Sequence, residues 1–118
     1  MHMTPLDTSE SPHAKLLTLP LVSTVLEGGF WFEKSSINRN VTLKHGYKEM
    51  AIAGNFNNLQ LVFGQGSGQF RGLLFADSDL YKWLEAVSYE LTNCYDLELN
   101  EMADTLIDLI EKAQGNDG

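Results

Sequence analysis

The stretch Leu74-Phe75-Ala76-Asp77-Ser78-Asp79-Leu80-Tyr81-Lys82-Trp83-Leu84-Glu85-Ala86 changes character midway, and that change constrains the fold more than any other feature of the chain. Three apolar residues give way to Asp-Ser-Asp, and a helical period begins. Leu80, Trp83, Leu84, Val87, Leu91 and Cys94 fall within roughly 100° of arc, so the spacing predicts a helix over 78–93 with one apolar face. Asp77 or Ser78 suits the N-cap, because a side-chain oxygen there accepts an orphan N–H of the first turn. Asp79, inside that turn, complements the positive end of the helix dipole. Tyr81, Glu85 and Tyr89 make a second stripe, the pattern of a helix covered on more than one side.

A second amphipathic period follows at once. Asp96 suits the cap of a helix starting near Leu97, with Leu99, Met102, Ala103, Leu106, Leu109, Ile110 and Ala113 as its apolar stripe and Gly115 as its stop. The short link between the two predicts an antiparallel helical hairpin. Upstream, residues 30–53 read as a helix closed by Gly54, although its apolar residues form no single clean stripe. Asn55 to Phe63 fits either a helical turn or an extended piece. Leu16 to Leu26, with Pro20 in its middle, fits either a short edge strand or an extended segment. Residues 1–14 read as a loose tail, with Met1-His2 ahead of Met3 as an added remnant. The fold class expected is mainly α: an extended N-terminal segment, then helices.

Composition bounds the function. At 118 residues and 43% apolar, the chain has the length of one globular domain. Residues 77–118 hold eleven acids and two bases, a net −9, against +1 over residues 1–76. A solvated acidic helix face accounts for this, and it argues against nucleic acid as a partner. One cysteine excludes an internal disulfide framework and a Cys-x-x-Cys zinc cluster. No apolar run reaches the ~18 residues of a membrane span and no secretory leader is visible, so the expected location is cytoplasmic.

Few residues stand out as chemical. The glycines at 64, 66 and 68 do not follow the dinucleotide fingerprint, and no lysine is placed as in a P-loop, so the segment reads as a flexible surface loop. His45 reads as a surface histidine and Cys94 as a partly buried structural thiol without the electropositive setting of a reactive one. Trp31 and Trp83 are of the type that stacks on sugars, but Trp83 sits at core spacing. Asp77 and Asp79 are paired carboxylates, and glycoside hydrolysis uses two such groups across a sugar. At i, i+2 on a helix start they diverge, so helix capping and a place at a cleft rim both stand. Asp77, Ser78 and Asp79 are cleft candidates by fold-level analogy alone, because loops before helices in α/α toroids often face the substrate. No catalytic residue and no metal ligand is assigned.

Five blocks in order resemble glycoside hydrolase family 127, the β-L-arabinofuranosidase-like proteins. Asp77 through Ala86 resembles the family's "DSDVYKWLEA", Gly29-Phe30-Trp31 its "GFW", and Asn38-Arg39-Asn40-Val41-Thr42 its "NR-V-T". Asn58-Leu59-Gln60-Leu61 with Gly64 resembles "NLRLAAG", and Asp108-Leu109-Ile110 through Ala113-Gln114, ending in Asp117-Gly118, resembles "DLIAAAQ..DG". Ala76 departs from the family, which usually carries a polar residue there. The resemblance implies that residues 15–118 form the first part of an (α/α)6 toroid, about a sixth of an enzyme that removes non-reducing terminal β-L-arabinofuranose. It implies a zinc-held cysteine nucleophile and a glutamate acid/base, all downstream of the matched segment, so the chain alone is expected to be inactive and zinc to be absent from it. The partners implied are a carbohydrate substrate in the complete enzyme and self-association through faces that truncation exposes, with no nucleic acid and no membrane. The alternative is a small helical interaction module without catalysis.

Overall fold

A computed structural model describes residues 4 and 6–116. Met1–Met3, Pro5 and Asp117-Gly118 lie outside them, and with them the remnant reading, part of the tail and the last two residues of the final motif block. The described residues form a 3-10 turn (Leu21–Ser23) and five α-helices: α1 (Gly29–Ile37), α2 (Leu43–Ala53), α3 (Asn55–Val62), α4 (Asp77–Asn93) and α5 (Leu97–Ala113). A π-helical segment, Asn38–Thr42, joins α1 to α2. The chain is mainly helical, and no strand occurs among the described residues.

The α4–α5 hairpin carries the core. Leu80, Val87, Leu99 and Leu106 are fully buried between the two helices and their neighbours, with Trp83, Ala103, Leu43 and Leu59 close behind. α2 packs on α4, and α3 on both α4 and α5. Trp83 is a core residue: its indole N–H donates to the Leu43 carbonyl at 2.8 Å, and its ring lies 5.1 Å from that of Tyr47. Burial pushes the Tyr47 hydroxyl above its ordinary pKa, although a hydrogen bond with Thr105 opposes the shift. Asp96 caps α5 as expected, accepting the Leu99 N–H at 3.1 Å. It also faces Lys44 at 3.2 Å, and Glu98 holds the same ammonium at 2.6 Å, so α2 is tied to the start of α5.

Two expectations are corrected and two open choices are decided. The 30–53 helix is not one regular helix, because the Leu43 N–H donates to the Asn38 carbonyl, five residues back. The extra residue in that turn rotates everything beyond it by about 100°, which is why apolar positions before and after share no stripe. Asn55 to Val62 is helical, and the left-handed Gly54 (φ 96°) turns the chain into it. Of the two options for Leu16–Leu26 the strand fails: Pro20 opens a 3-10 turn, and no strand among the described residues offers a ladder. Gly115 does not close α5. Extended Gln114 ends it, its N–H bonding the Ile110 and Glu111 carbonyls.

Candidate functional site

The three cleft candidates sit together on the first turn of α4. Asp77 and Asp79 are exposed and Ser78 is half-buried. None of them is the N-cap. That position is Ala76, and it makes no side-chain capping bond. The residues before it already form a turn: the Ala76 N–H donates to Leu73 O at 2.9 Å, the Ser78 N–H to Phe75 O at 3.0 Å, and the Asp79 N–H to Ala76 O at 3.4 Å. Backbone carbonyls therefore satisfy donors that a capping side chain would otherwise take, and the capping explanation of Asp77 and Ser78 falls. The Asp77 carboxylate is left to the dipole and the solvent. The Lys82 ammonium lies 3.6 Å from Asp79 and 3.5 Å from the Ser78 hydroxyl.

The start of α4 is held from α3. Asn55, only 7% exposed, donates its side-chain N–H to the Ala76 carbonyl at 2.8 Å. The loop before it leaves Leu73, Leu74 and Phe75 in solvent, Leu74 at 97% exposure. Two carboxylates two residues apart on a helix point about 200° from each other. They do not face one another across a bond as a hydrolytic acid and nucleophile must. What this turn presents is two carboxylates and a hydroxyl on the start of one helix.

A second polar feature lies elsewhere, where the N-terminal segment crosses the helices. A cleft of about 280 Å³ is lined by Val22, Val25, Phe32, Ser35, Arg39 and Asn93, among others. At its wall Arg39 donates through Nε to Glu90, whose side chain is almost fully buried. The pair is neutral as a unit, and among the described residues no buried side-chain polar atom lacks a partner. The pair was legible only as an anomaly: Glu90 falls three residues after Val87, on the apolar face of α4, where an acid demands a cation.

The remaining candidates stay apart. Trp31 lies on α1 and is exposed, while Trp83 is in the core. His45 is exposed, with Glu49 at 3.8 Å. Cys94 is half-buried just past α4. Among the described residues no three metal-ligating side chains come together, so the residues present do not fit the zinc centre that the resemblance implies. No described helix is long and apolar enough to cross a membrane.

Comparison with known proteins follows this geometry. The model of the β-L-arabinofuranosidase, GH127 catalytic domain matches residues 24–118. A non-reducing end β-L-arabinofuranosidase of Bifidobacterium longum subsp. longum is 44% identical over 61 residues, which cover 52% of this chain and 9% of that protein. The crystal structure of a GH127 β-L-arabinofuranosidase from Geobacillus stearothermophilus T6 superposes with a TM-score of 0.75 at 31% identity, over 79% of this chain and 16% of that one. The chain thus corresponds to a small part of each relative's length.

Proposed function

The chain belongs to the GH127 β-L-arabinofuranosidase catalytic-domain family, and from that membership we propose that it serves as the N-terminal helical part of a glycoside hydrolase acting on non-reducing terminal β-L-arabinofuranosides. The observation that carries this reading is the family match over residues 24–118, supported by the superposition on a solved member. In it, α1 to α5 are the opening helices of an (α/α)6 toroid. The first turn of α4 stands at the rim of the substrate cleft, where Asp77 and Asp79 accept hydrogen bonds from sugar hydroxyls and Ser78 donates or accepts one. These residues bind and orient. Bond cleavage, and the zinc the family implies, belong to residues outside this chain, so the chain alone turns over nothing.

The test is arabinose release from a β-L-arabinofuranoside by the purified 118-residue chain and by a complete catalytic domain that carries it. The expected result is release by the complete domain only. Release by the chain alone would overturn the division of labour, and no release by either would overturn the activity. A second reading, a helical interaction module, is favoured by the apolar side chains left in solvent before Leu43. It predicts self-association or partner binding at micromolar chain, and a well-behaved monomer in sedimentation would count against it.

A further inference from the structure

We propose that Asn55, Asn57 and Asn58 of α3 are positioning residues that fix the 64–76 loop and, through it, hold Asp77, Ser78 and Asp79 in one geometry for the sugar. The proposal rests on the reading of that turn as a cleft rim.

The loop is tied to α3 by side-chain amides used as if they were a neighbouring strand. Asn57 accepts the Ser67 N–H at 2.9 Å and donates to the Ser67 carbonyl at 3.0 Å. Asn58 does the same with Arg71, at 2.9 and 2.8 Å. Each amide thus satisfies both backbone groups of one loop residue, the double bond pattern of a hydrogen-bonded pair in an antiparallel ladder. Asn55 completes the series at the Ala76 carbonyl. The loop is therefore pinned at 67, 71 and 76, and the last pin lies one residue before Asp77.

Two close approaches leave the path little freedom. A Cβ on Gly66 would stand 2.6 Å from the Leu61 nitrogen and 2.9 Å from the Asn57 carbonyl, so the loop backbone lies directly on α3. The Arg71 side chain lies over Gly54, 2.9 Å from where a Cβ would be. The expected flexible loop is thus a held one.

The holding does not serve the core. Every residue from Gly64 to Phe75 is exposed except half-buried Gly66, so the loop adds no enclosed side chain to the core in return for its order. What its order does fix is the geometry of the α4 start. A binding edge held before the ligand arrives avoids the entropic cost of ordering it on binding.

The test has two parts. In the 118-residue chain, amide hydrogen exchange is followed by NMR in Asn57→Ala and Asn58→Ala, half-buried sites whose loss spares the core. Ser67 exchange in the first and Arg71 exchange in the second should quicken by about an order of magnitude, the worth of one hydrogen bond, with α5 amides unchanged. In a complete catalytic domain carrying this segment, Asn58→Ala should raise KM for a β-L-arabinofuranoside several-fold and leave kcat nearly unchanged, the signature of lost substrate binding. Asp79→Asn is the reference. Unchanged exchange overturns the proposal. Faster exchange with unchanged KM also overturns it, and leaves the rim reading standing if Asp79→Asn raises KM. If neither Asp79→Asn nor Asn58→Ala moves KM, the rim reading fails and the proposal with it.

Discussion

The residues before Leu43 and the α4–α5 hairpin are both rich in apolar side chains, yet they fare oppositely. None of the described residues before Leu43 is buried, and Leu16, Val25, Phe30 and Trp31 stand mostly in solvent. Beyond it, Leu80, Val87, Leu99 and Leu106 are fully enclosed. The difference is spacing. Phe30, Trp31 and Phe32 are consecutive, so on a helix they spread about 100° apart and cannot share a face. The α4 and α5 stripes recur every three or four residues and close on each other. Apolar content sets how much a chain wants to bury, and periodicity sets how much it can bury by itself.

The largest effect should come from cutting the enclosed side. Leu106→Ala removes a side chain with no exposed surface and should cost about 2–5 kcal/mol, read as a lower urea midpoint with unchanged slope. A cost under about 1 kcal/mol would mean that the core is loosely packed, and the contrast between the two regions would collapse.

Next comes the charged link between them. Glu90 on α4 is almost fully buried, whereas Arg39 of the π segment keeps a quarter of its side chain in water. The two partners should therefore be unequal. Arg39→Met strands a buried carboxylate and should cost about 2–3 kcal/mol, while Glu90→Gln leaves a cation that can reach solvent and should cost about 1 kcal/mol. Equal costs in chemical denaturation would show that burial does not control the pair.

These contrasts mark what was legible. The α4–α5 hairpin and its stripes could be read because an amphipathic period is a local signal that the fold then uses directly. The Asp96 cap could be read for the same reason. The π segment could not, because one inserted residue erases the period on which its detection depends. Asn58 was read only as a motif letter and Asn55 and Asn57 were not singled out, since their partners lie 13, 21 and 10 residues away. An asparagine cluster just ahead of a glycine-rich loop was the available sign. Asp77 and Ser78 misled because the cap rule assumes a chain arriving extended, and here it arrives already turned.

A smaller effect should appear in acid, at the tie between α2 and α5. The Leu99 N–H, then Lys44, hold the Asp96 carboxyl below its ordinary value of 3.8. A folded-state pKa below the unfolded one gives stability that is complete above the ordinary carboxylate range and is lost as pH falls through the depressed value. Lys44 runs the other way: Glu98 raises it above 10.5, so its share is complete at neutral pH and lost in strong alkali. The melting temperature should fall below pH ~4. Asp96→Asn keeps the cap and should lose less over that window; an identical acid profile would remove Asp96 from the account.

The smallest effect should be Trp31→Ala. In this chain the indole is mostly exposed and lies T-shaped to the Phe30 ring, with ring centres 5.0 Å apart, so its loss should shift stability by less than about 0.5 kcal/mol, although tryptophan is the largest side chain available to delete. The sharper use of this variant is in a complete catalytic domain. If α1 is one wall of a toroid, its exposed aromatic face meets a neighbouring helix there, and the same substitution should cost about 3–5 kcal/mol. A residue silent in the short chain and costly in the long one would show that α1 waits for a partner. Silence in both would mean that its aromatic surface serves something other than the fold.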